Sequence, residues 1–326
     1  VTCLRHGVLP WQTRGGATII ASAYPEDFAH QRPWLEALFG PVALALAPFG
    51  EIEAALLAAR GPALAHRAET RVPEAESCRN FNARGLRLPA VALTLALGGL
   101  ATFAPLLLWG LLTCLALLAM MAFTGLKIAA LWAMRKLPAG MVNPPHIAQL
   151  PVVSVMVALY RESDIAQRLI ARLGKLDYPR DLLDILLVVE EDDQITRSTL
   201  ARAGLPEWMR IITVPSGTVK TKPRALNYAL DHCLGTIVGV YDAEDAPEPQ
   251  QIRKVVQRFH QSGPDVACLQ GVLDFYNPRS NWLARCFTIE YAAWFRLFLP
   301  GIERLGLAVP LGGTTLFFRR QVLEDL

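Results

Sequence analysis

Two hydrophobic patterns divide this sequence. Residues 88–126 form a run of 39 residues without Asp, Glu, Lys, Arg or His. As helix, at about 1.5 Å per residue, the run is roughly 58 Å long, about twice the ~30 Å hydrocarbon core of a bilayer. One span is too few and two fit, with Pro105 in GGLATFAPLLLWG as the turn between helices over 88–102 and 106–134. After residue 145 short apolar runs alternate with amphipathic stretches. Strands are predicted over 152–157, 185–189, 210–214, 237–241 and 266–273, with helices over 163–176, 194–203, 223–233 and 249–261. This βαβ alternation argues for an α/β domain over 145–326 with a mostly parallel sheet covered on both faces. Residues 1–60 read as a small α+β unit: an apolar run at 17–23, a helix at 33–39, a strand at 42–47 and a helix at 51–60. Residues 61–86, with Pro62, Pro73 and mixed charges, read as a linker, and 87–136 as the transmembrane hairpin.

Composition fits a membrane-bound chain. Hydrophobic residues make up 52% and charged residues 19% of the 326, with mean hydropathy +0.29, too apolar for an ordinary soluble protein. A net charge of +3 is too small to mark a nucleic-acid binder, so no nucleic-acid partner is expected. The six cysteines are scattered without a CxxC pair, which argues against a disulfide scaffold or structural zinc. Arg79, Arg84 and Arg87 precede the hairpin, Lys127, Arg135 and Lys136 follow it, and its turn is uncharged. By the positive-inside rule both flanks are cytoplasmic. The chain opens on Val1 without a signal-peptide pattern and closes in the helix-like RRQVLEDL, so it is expected to be a piece of a longer protein.

Candidate chemistry follows from the sheet. In open parallel sheets ligands bind outside the carboxyl ends of the strands, and here those ends are polar: ALYRE (158–162), EEDD (190–193) and DAED (242–245). No glycine-rich GxGxxG or GxxxxGK[ST] loop follows the first strand, which counts against a dinucleotide Rossmann domain and a P-loop NTPase. Carboxylates facing a phosphate-bearing substrate need a divalent cation between them, and an all-oxygen site suits Mg²⁺ or Mn²⁺. Asp242 and Glu244, two apart on extended backbone, point to the same side; a solvated acidic loop is the other reading of DAEDAPEP. Lys222 and Arg224 open a helix, where the N-terminal dipole and a cation can together hold a diphosphate, unless they merely face water.

The order VALYRE, LLVVEEDD, KTKPRALNYAL, VYDAEDAPEP, PLGGTTLFFRR resembles family 2 glycosyltransferases of the GT-A fold over nearly all of 150–326. It is most similar to bacterial inner-membrane members with a cellulose-synthase-like core and a secretion-ATPase-like domain ahead of the membrane helices. In residues 1–60 the order GVLPW, IIASAYPEDF, WLEALFG, GEIEAALLAA resembles the later half of the N-terminal domain of type II secretion ATPases. Some members of that family bind cyclic di-GMP, through motifs mostly earlier than Val1.

The resemblance implies a membrane-bound enzyme that takes a nucleotide-sugar, a UDP-sugar in particular, and passes the sugar with inversion to the hydroxyl of a glycan, lipid or protein acceptor. Cell-surface or exopolysaccharide synthesis at the bacterial inner membrane is the implied setting. Tyr160 and Glu162 fall at the nucleotide pocket, Tyr160 as a stacking candidate. Glu190 stands where the family usually has an Asp that hydrogen-bonds uracil, with Asp192 a second candidate, and Lys222 lies near the diphosphate. Asp242 and Glu244 occupy the acidic positions of the DxD metal motif. Gly312, Gly313 and Thr314 match the loop beside donor sugar and acceptor.

Two positions depart from the family: Arg161 stands where many members have Asn, and Glu244 replaces the second Asp. The family's general base and its QxxRW motif are expected beyond Leu326, so no catalytic base is assigned here and this piece is expected to be inactive. A membrane-anchored docking module with a degenerate transferase domain, responding to cyclic di-GMP, is the alternative. The aromatic-rich segment 281–300 reads either as a helix at the membrane interface or as an ordinary core helix.

Overall fold

The computed structural model describes residues 1–78, 84–135, 147–163, 165–275 and 277–325. Arg79 and Lys136, two of the flanking cations, lie outside the described residues. In chain order the elements are α1 (Thr2–Arg5), β1 (Val8–Arg14), β2 (Ala17–Ser22), α2 (Phe28–Phe39), β3 (Val42–Leu46), α3 (Phe49–Thr70), α4 (Arg84–Phe103) and α5 (Pro105–Met134). They continue with β4 (Val153–Leu159), α6 (Ile165–Leu173), β5 (Leu183–Glu190), α7 (Gln194–Arg202), β6 (Met209–Val214), α8 (Lys222–Leu230), β7 (Ile237–Tyr241), α9 (Gln251–Gln261) and β8 (Cys268–Gln270). The last are α10 (Trp282–Ala293), α11 (Leu299–Arg304), β9 (Leu316–Arg319) and α12 (Arg320–Asp325). These elements group into two compact units.

The first unit holds residues 1–72, 145–270 and 313–326. Its main sheet has six strands in the order β6-β5-β4-β7-β9-β8. β6, β5, β4 and β7 run parallel, while β9 is antiparallel to both β7 and β8. The apolar run of β5 is buried along its whole length, as a central strand covered on both faces requires. α9 buries Ile252, Val255, Val256 and Phe259, one stripe at helical spacing. Two apolar clusters result. One joins β4, β5, α6 and α9, the other packs α8 and the far end of α3 against the opposite face.

Two elements differ from expectation. The strand expected over 266–273 is only the three residues of β8, because β9 separates it from β7. Gly239 on β7 permits that insertion: a Cβ there would come within 2.6 Å of the Phe317 ring of β9. The stretch expected as a linker from residue 61 begins as helix, since α3 passes through Pro62 to Thr70. A proline inside a helix removes a backbone donor and normally breaks it. Here burial of Leu64, Ala65 and Ala68 outweighs that cost. The N-terminal segment itself is a three-stranded sheet, β1-β2-β3, with α2 over a small core of Val8, Ile20, Phe28, Leu35 and Val42.

The second unit holds residues 73–144 and 271–312. α4 and α5 are long and apolar enough to cross a membrane, and α5 starts at Pro105 as the turn reading expects. Within this unit a π-helical turn (Trp294–Phe298), which continues α10, and α11 pack on the end of α5. Ala130, Phe298, Leu299 and Ile302 form their core, and the Arg304 guanidinium donates to the Met134 carbonyl at 3.2 Å.

Candidate functional site

A cavity of about 530 Å³ opens at the carboxyl ends of β4, β5 and β7. Tyr160, Glu162, Glu190, Lys220, Lys222, Asp242 and Glu244 are among the side chains lining it. A larger cavity, about 640 Å³, lies at the opposite edge of the sheet against the N-terminal segment. Two of its cations are paired, Arg210 with Asp184 at 2.8 Å and Arg5 with Glu324, while Arg180 donates to the Gly174 carbonyl at 2.7 Å. The acidic clusters at the strand ends open instead on the smaller cavity.

Asp242, Ala243 and Glu244 all line the cavity, brought there by a turn after β7, in which the Asp245 amide donates to the Asp242 carbonyl at 3.1 Å, rather than by the extended backbone expected. Asp242 pairs with the Lys222 ammonium, which also donates to the Gly313 carbonyl at 3.0 Å. Lys222 is placed by its helix start: the Thr221 hydroxyl caps α8, accepting the Arg224 amide at 3.4 Å, and Pro223 sits in the first turn. Asp245 faces inward instead. It accepts the Asp242 amide at 2.8 Å and the Thr314 hydroxyl, tying the acidic loop to the start of β9. Burial pushes its carboxyl above the ordinary range against the pull of those bonds. Gly312 belongs to the other unit.

The cluster after β5 is differently used. Asp193 caps α7, accepting the Thr196 amide at 3.1 Å and hydroxyl at 2.6 Å, and takes the Arg161 amide at 2.5 Å. That bond holds Arg161 at φ 57°, the left-handed region in which Asn is enriched and Arg is not. Its guanidinium lies 5.2 Å from the centre of the Tyr160 ring, which is 49% exposed. The Glu162 amide donates to the Thr196 hydroxyl at 2.8 Å. Glu191 accepts both the amide and the hydroxyl of Ser216, at 3.0 and 3.1 Å, and Asp192 pairs with Lys220 at the exposed rim. Asp192 does not line the cavity.

Arg224 departs from the expectation that it faces a diphosphate. Only 2% exposed, it points away from the helix start and bonds Glu69 at 3.0 Å and Glu190 at 3.2 Å. Glu190 therefore meets the cavity as the buried partner of an arginine, and burial pushes its carboxyl up while Arg224 and Lys220 oppose the shift. Sequence reasoning passed over Lys220, Asp193 and Asp245. The spacing Asp193-x-x-Thr196 carries an N-cap signal; nothing local marks the other two.

Among the described residues no three His, Cys, Asp or Glu side chains come together as a metal site. What Asp242 and Glu244 fit is a cation completed by substrate. Mg²⁺-type ions are commonly held by one or two carboxylates plus phosphate oxygens and water.

The structure thus gathers acidic and lysine side chains in one cavity at the strand ends of an α/β domain. Residues 151–326 match the family described as Glycosyltransferase like family 2, and the chain belongs to it. Residues 1–66 match the MshEN domain, in agreement with the secretion-ATPase-like reading of the N-terminus. The chain is 24% identical over 183 residues to the probable glycosyltransferase YdaM of Bacillus subtilis, spanning 56% of this chain and 43% of that protein. It is 30% identical over 184 residues to the beta-monoglucosyldiacylglycerol synthase of Synechocystis, spanning 53% and 36%. The chain thus matches less than half the length of either relative. Among solved structures it is similar to the mannosyltransferase PcManGT from Pyrobaculum calidifontis, in complex with GDP-Man and Mn²⁺. The TM-score is 0.49 and the identity 23%, over 65% of this chain and 57% of that one.

Proposed function

We propose that the chain is the donor-binding part of a membrane-bound, inverting glycosyltransferase that uses a nucleotide-sugar, preferentially a UDP-sugar, in cell-surface or exopolysaccharide synthesis. The observation that carries this reading is the convergence of Tyr160, Glu162, Glu190, Lys222, Asp242 and Glu244 on one cavity. Tyr160 offers an exposed ring for the base. Glu190, held by Arg224, offers carboxylate lone pairs to the single ring N–H of a uracil base. Lys222 holds Asp242 until a diphosphate provides better anionic oxygens, and its transfer to them frees Asp242. Asp242 and Glu244 would then hold Mg²⁺ or Mn²⁺ against the diphosphate, and the ion supplies Lewis-acid stabilisation of the leaving group. The backbone around Gly313 and Thr314, joined to this site by Lys222 and Asp245, borders the sugar. No residue in 1–326 is assigned the role of deprotonating the acceptor.

The acceptor side is read against a bilayer, at the bacterial inner membrane with both soluble parts cytoplasmic. Two apolar helices support membrane attachment. Exposed Trp282, Leu283, Phe287 and Ile289 on α10 and Leu297 in the turn after it favour the interfacial reading of 281–300. The glycolipid synthase among the relatives supports a lipid or lipid-linked acceptor.

Calorimetric titration of UDP into the detergent-solubilised chain, with and without Mn²⁺, tests the proposal. Binding should require Mn²⁺ and fall by about 100-fold or more in Asp242→Asn, because even groups that only support a metal ligand cost 10–100-fold when removed. A folded wild-type chain that ignores UDP and Mn²⁺ overturns the proposal and favours the docking module, for which cyclic di-GMP is the next titrant.

A further inference from the structure

One carboxylate of the N-terminal segment reaches to within a single side chain of the donor cavity. Glu69, in the last turn of α3, accepts the Thr218 amide at 2.8 Å and the Thr218 hydroxyl at 2.8 Å across 149 residues of sequence. It also accepts Arg224 Nε at 3.0 Å. Arg224 in turn gives Nη1 to Glu190 at 3.2 Å and Nη2 to the Pro215 carbonyl. Glu190 lines the cavity, and so do Lys220, Thr221 and Lys222, which follow Thr218 after one residue, Val219. Glu69 thus grips the loop from Pro215 to Thr221 and the arginine that orients Glu190. Packing around the pair is tight: a Cβ added to Gly217 would collide with Glu69 Oε1 and Arg224 Nη2. The guanidinium is buried, and a buried charge keeps its position only while its partners are in place.

We propose that Glu69 is a positioning residue for nucleotide binding: the N-terminal segment, through this one carboxylate, holds Arg224, Glu190 and the 215–221 loop in the arrangement that receives the donor. The proposal rests on the reading of the cavity as the donor site. It differs from general docking of α3, because α3 and α8 are also joined by Arg71, which bonds Asp231 at 3.1 Å and the Asn227 carbonyl at 3.3 Å without touching any cavity residue.

The test is UDP titration with Mn²⁺ on the full chain for wild type, Glu69→Ala, Glu69→Gln, Gly217→Ala and Arg71→Ala, with melting temperatures and amide exchange at Thr218 measured in parallel. Glu69→Ala should weaken UDP binding about tenfold, the scale of losing hydrogen bonds to charged groups. Glu69→Gln, which keeps an acceptor for Thr218, should recover part of that loss. Gly217→Ala, which removes no polar group, should weaken binding in the same direction. Arg71→Ala should lower the melting temperature yet leave UDP affinity within about twofold. Faster exchange at Thr218 in Glu69→Ala with unchanged UDP affinity would overturn the positioning role, leaving a structural contact. Equal loss in Arg71→Ala and Glu69→Ala would overturn it as well, in favour of unspecific helix docking. Silence of every protein, wild type included, overturns the donor-site reading and this inference with it, an outcome recognisable because no variant then differs from another.

Discussion

Two acidic clusters at the same edge of the sheet, one after β5 and one after β7, look alike in sequence and do different work. After β5 three of four carboxylates are committed to backbone, hydroxyl or buried arginine groups, Glu190 to Arg224, Glu191 to Ser216 and Asp193 to Thr196 and Arg161, and Asp192 alone rests on an exposed lysine, Lys220, outside the cavity. After β7 only Asp245 is tied down by backbone and hydroxyl groups. Asp242 and Glu244 stay at the cavity, and the partner of Asp242 is a lysine that a phosphate can draw away. The lesson is that an acidic run at a strand end shapes a site when its partners are backbone amides and buried cations. It serves a ligand when its partners are exchangeable.

The sharpest break in this contrast is Asp242→Asn, with the loss of Mn²⁺-dependent UDP binding described above. Next comes Asp193→Ala. It removes an N-cap and strands the Arg161 amide and the Thr196 hydroxyl, so it should cost about 2–3 kcal/mol of stability, read as a lowered melting temperature. Once folded, the variant should keep its Mn²⁺ dependence.

Acid sharpens the comparison further. The amide and hydroxyl of Ser216 hold the Glu191 carboxyl below its usual range, so the stability it adds is full above the ordinary carboxylate pKa, about 4.3, and is lost as pH falls through the depressed value. Melting curves of wild type and Glu191→Gln should therefore differ at pH 6 and converge as the pH falls through that depressed value. The gap stays below about 1 kcal/mol because the carboxylate is exposed. The smallest effect is expected at Asp192→Asn. Asp192 lies outside the cavity and makes only an exposed pair with Lys220, so its loss should change UDP affinity by less than about twofold, and a large loss would return Asp192 to the nucleotide site.

Much of the cavity was legible along the chain because βαβ alternation fixes where loops emerge. Tyr160, Glu162, Asp242 and Glu244 follow from that rule, each lying just past a strand end, whereas their turn conformations, with Arg161 at φ 57°, are not those of alternating strand positions. Arg224 was misread for a physical reason. A basic residue in the first helical turn has the same local pattern whether it faces a ligand or turns beneath the helix, and only the approach of Glu69 and Glu190 decides between them. The helix beyond Pro62 was missed likewise, since local propensity ends α3 there and burial of Leu64 and Ala68 continues it.

By itself the sequence determined the two apolar helices, the parallel strands β4, β5, β6 and β7, and the order of acidic and basic residues along the sheet edge. Those are consequences of periodicity, which local side-chain chemistry dictates. Tertiary structure alone decided the insertion of antiparallel β9 between β7 and β8, the pairing of Lys222 with Asp242, and the reach of Glu69 to a loop 149 residues away. Contacts at such separation depend on how whole elements pack, and packing is a property of the assembled core that no short window of sequence contains.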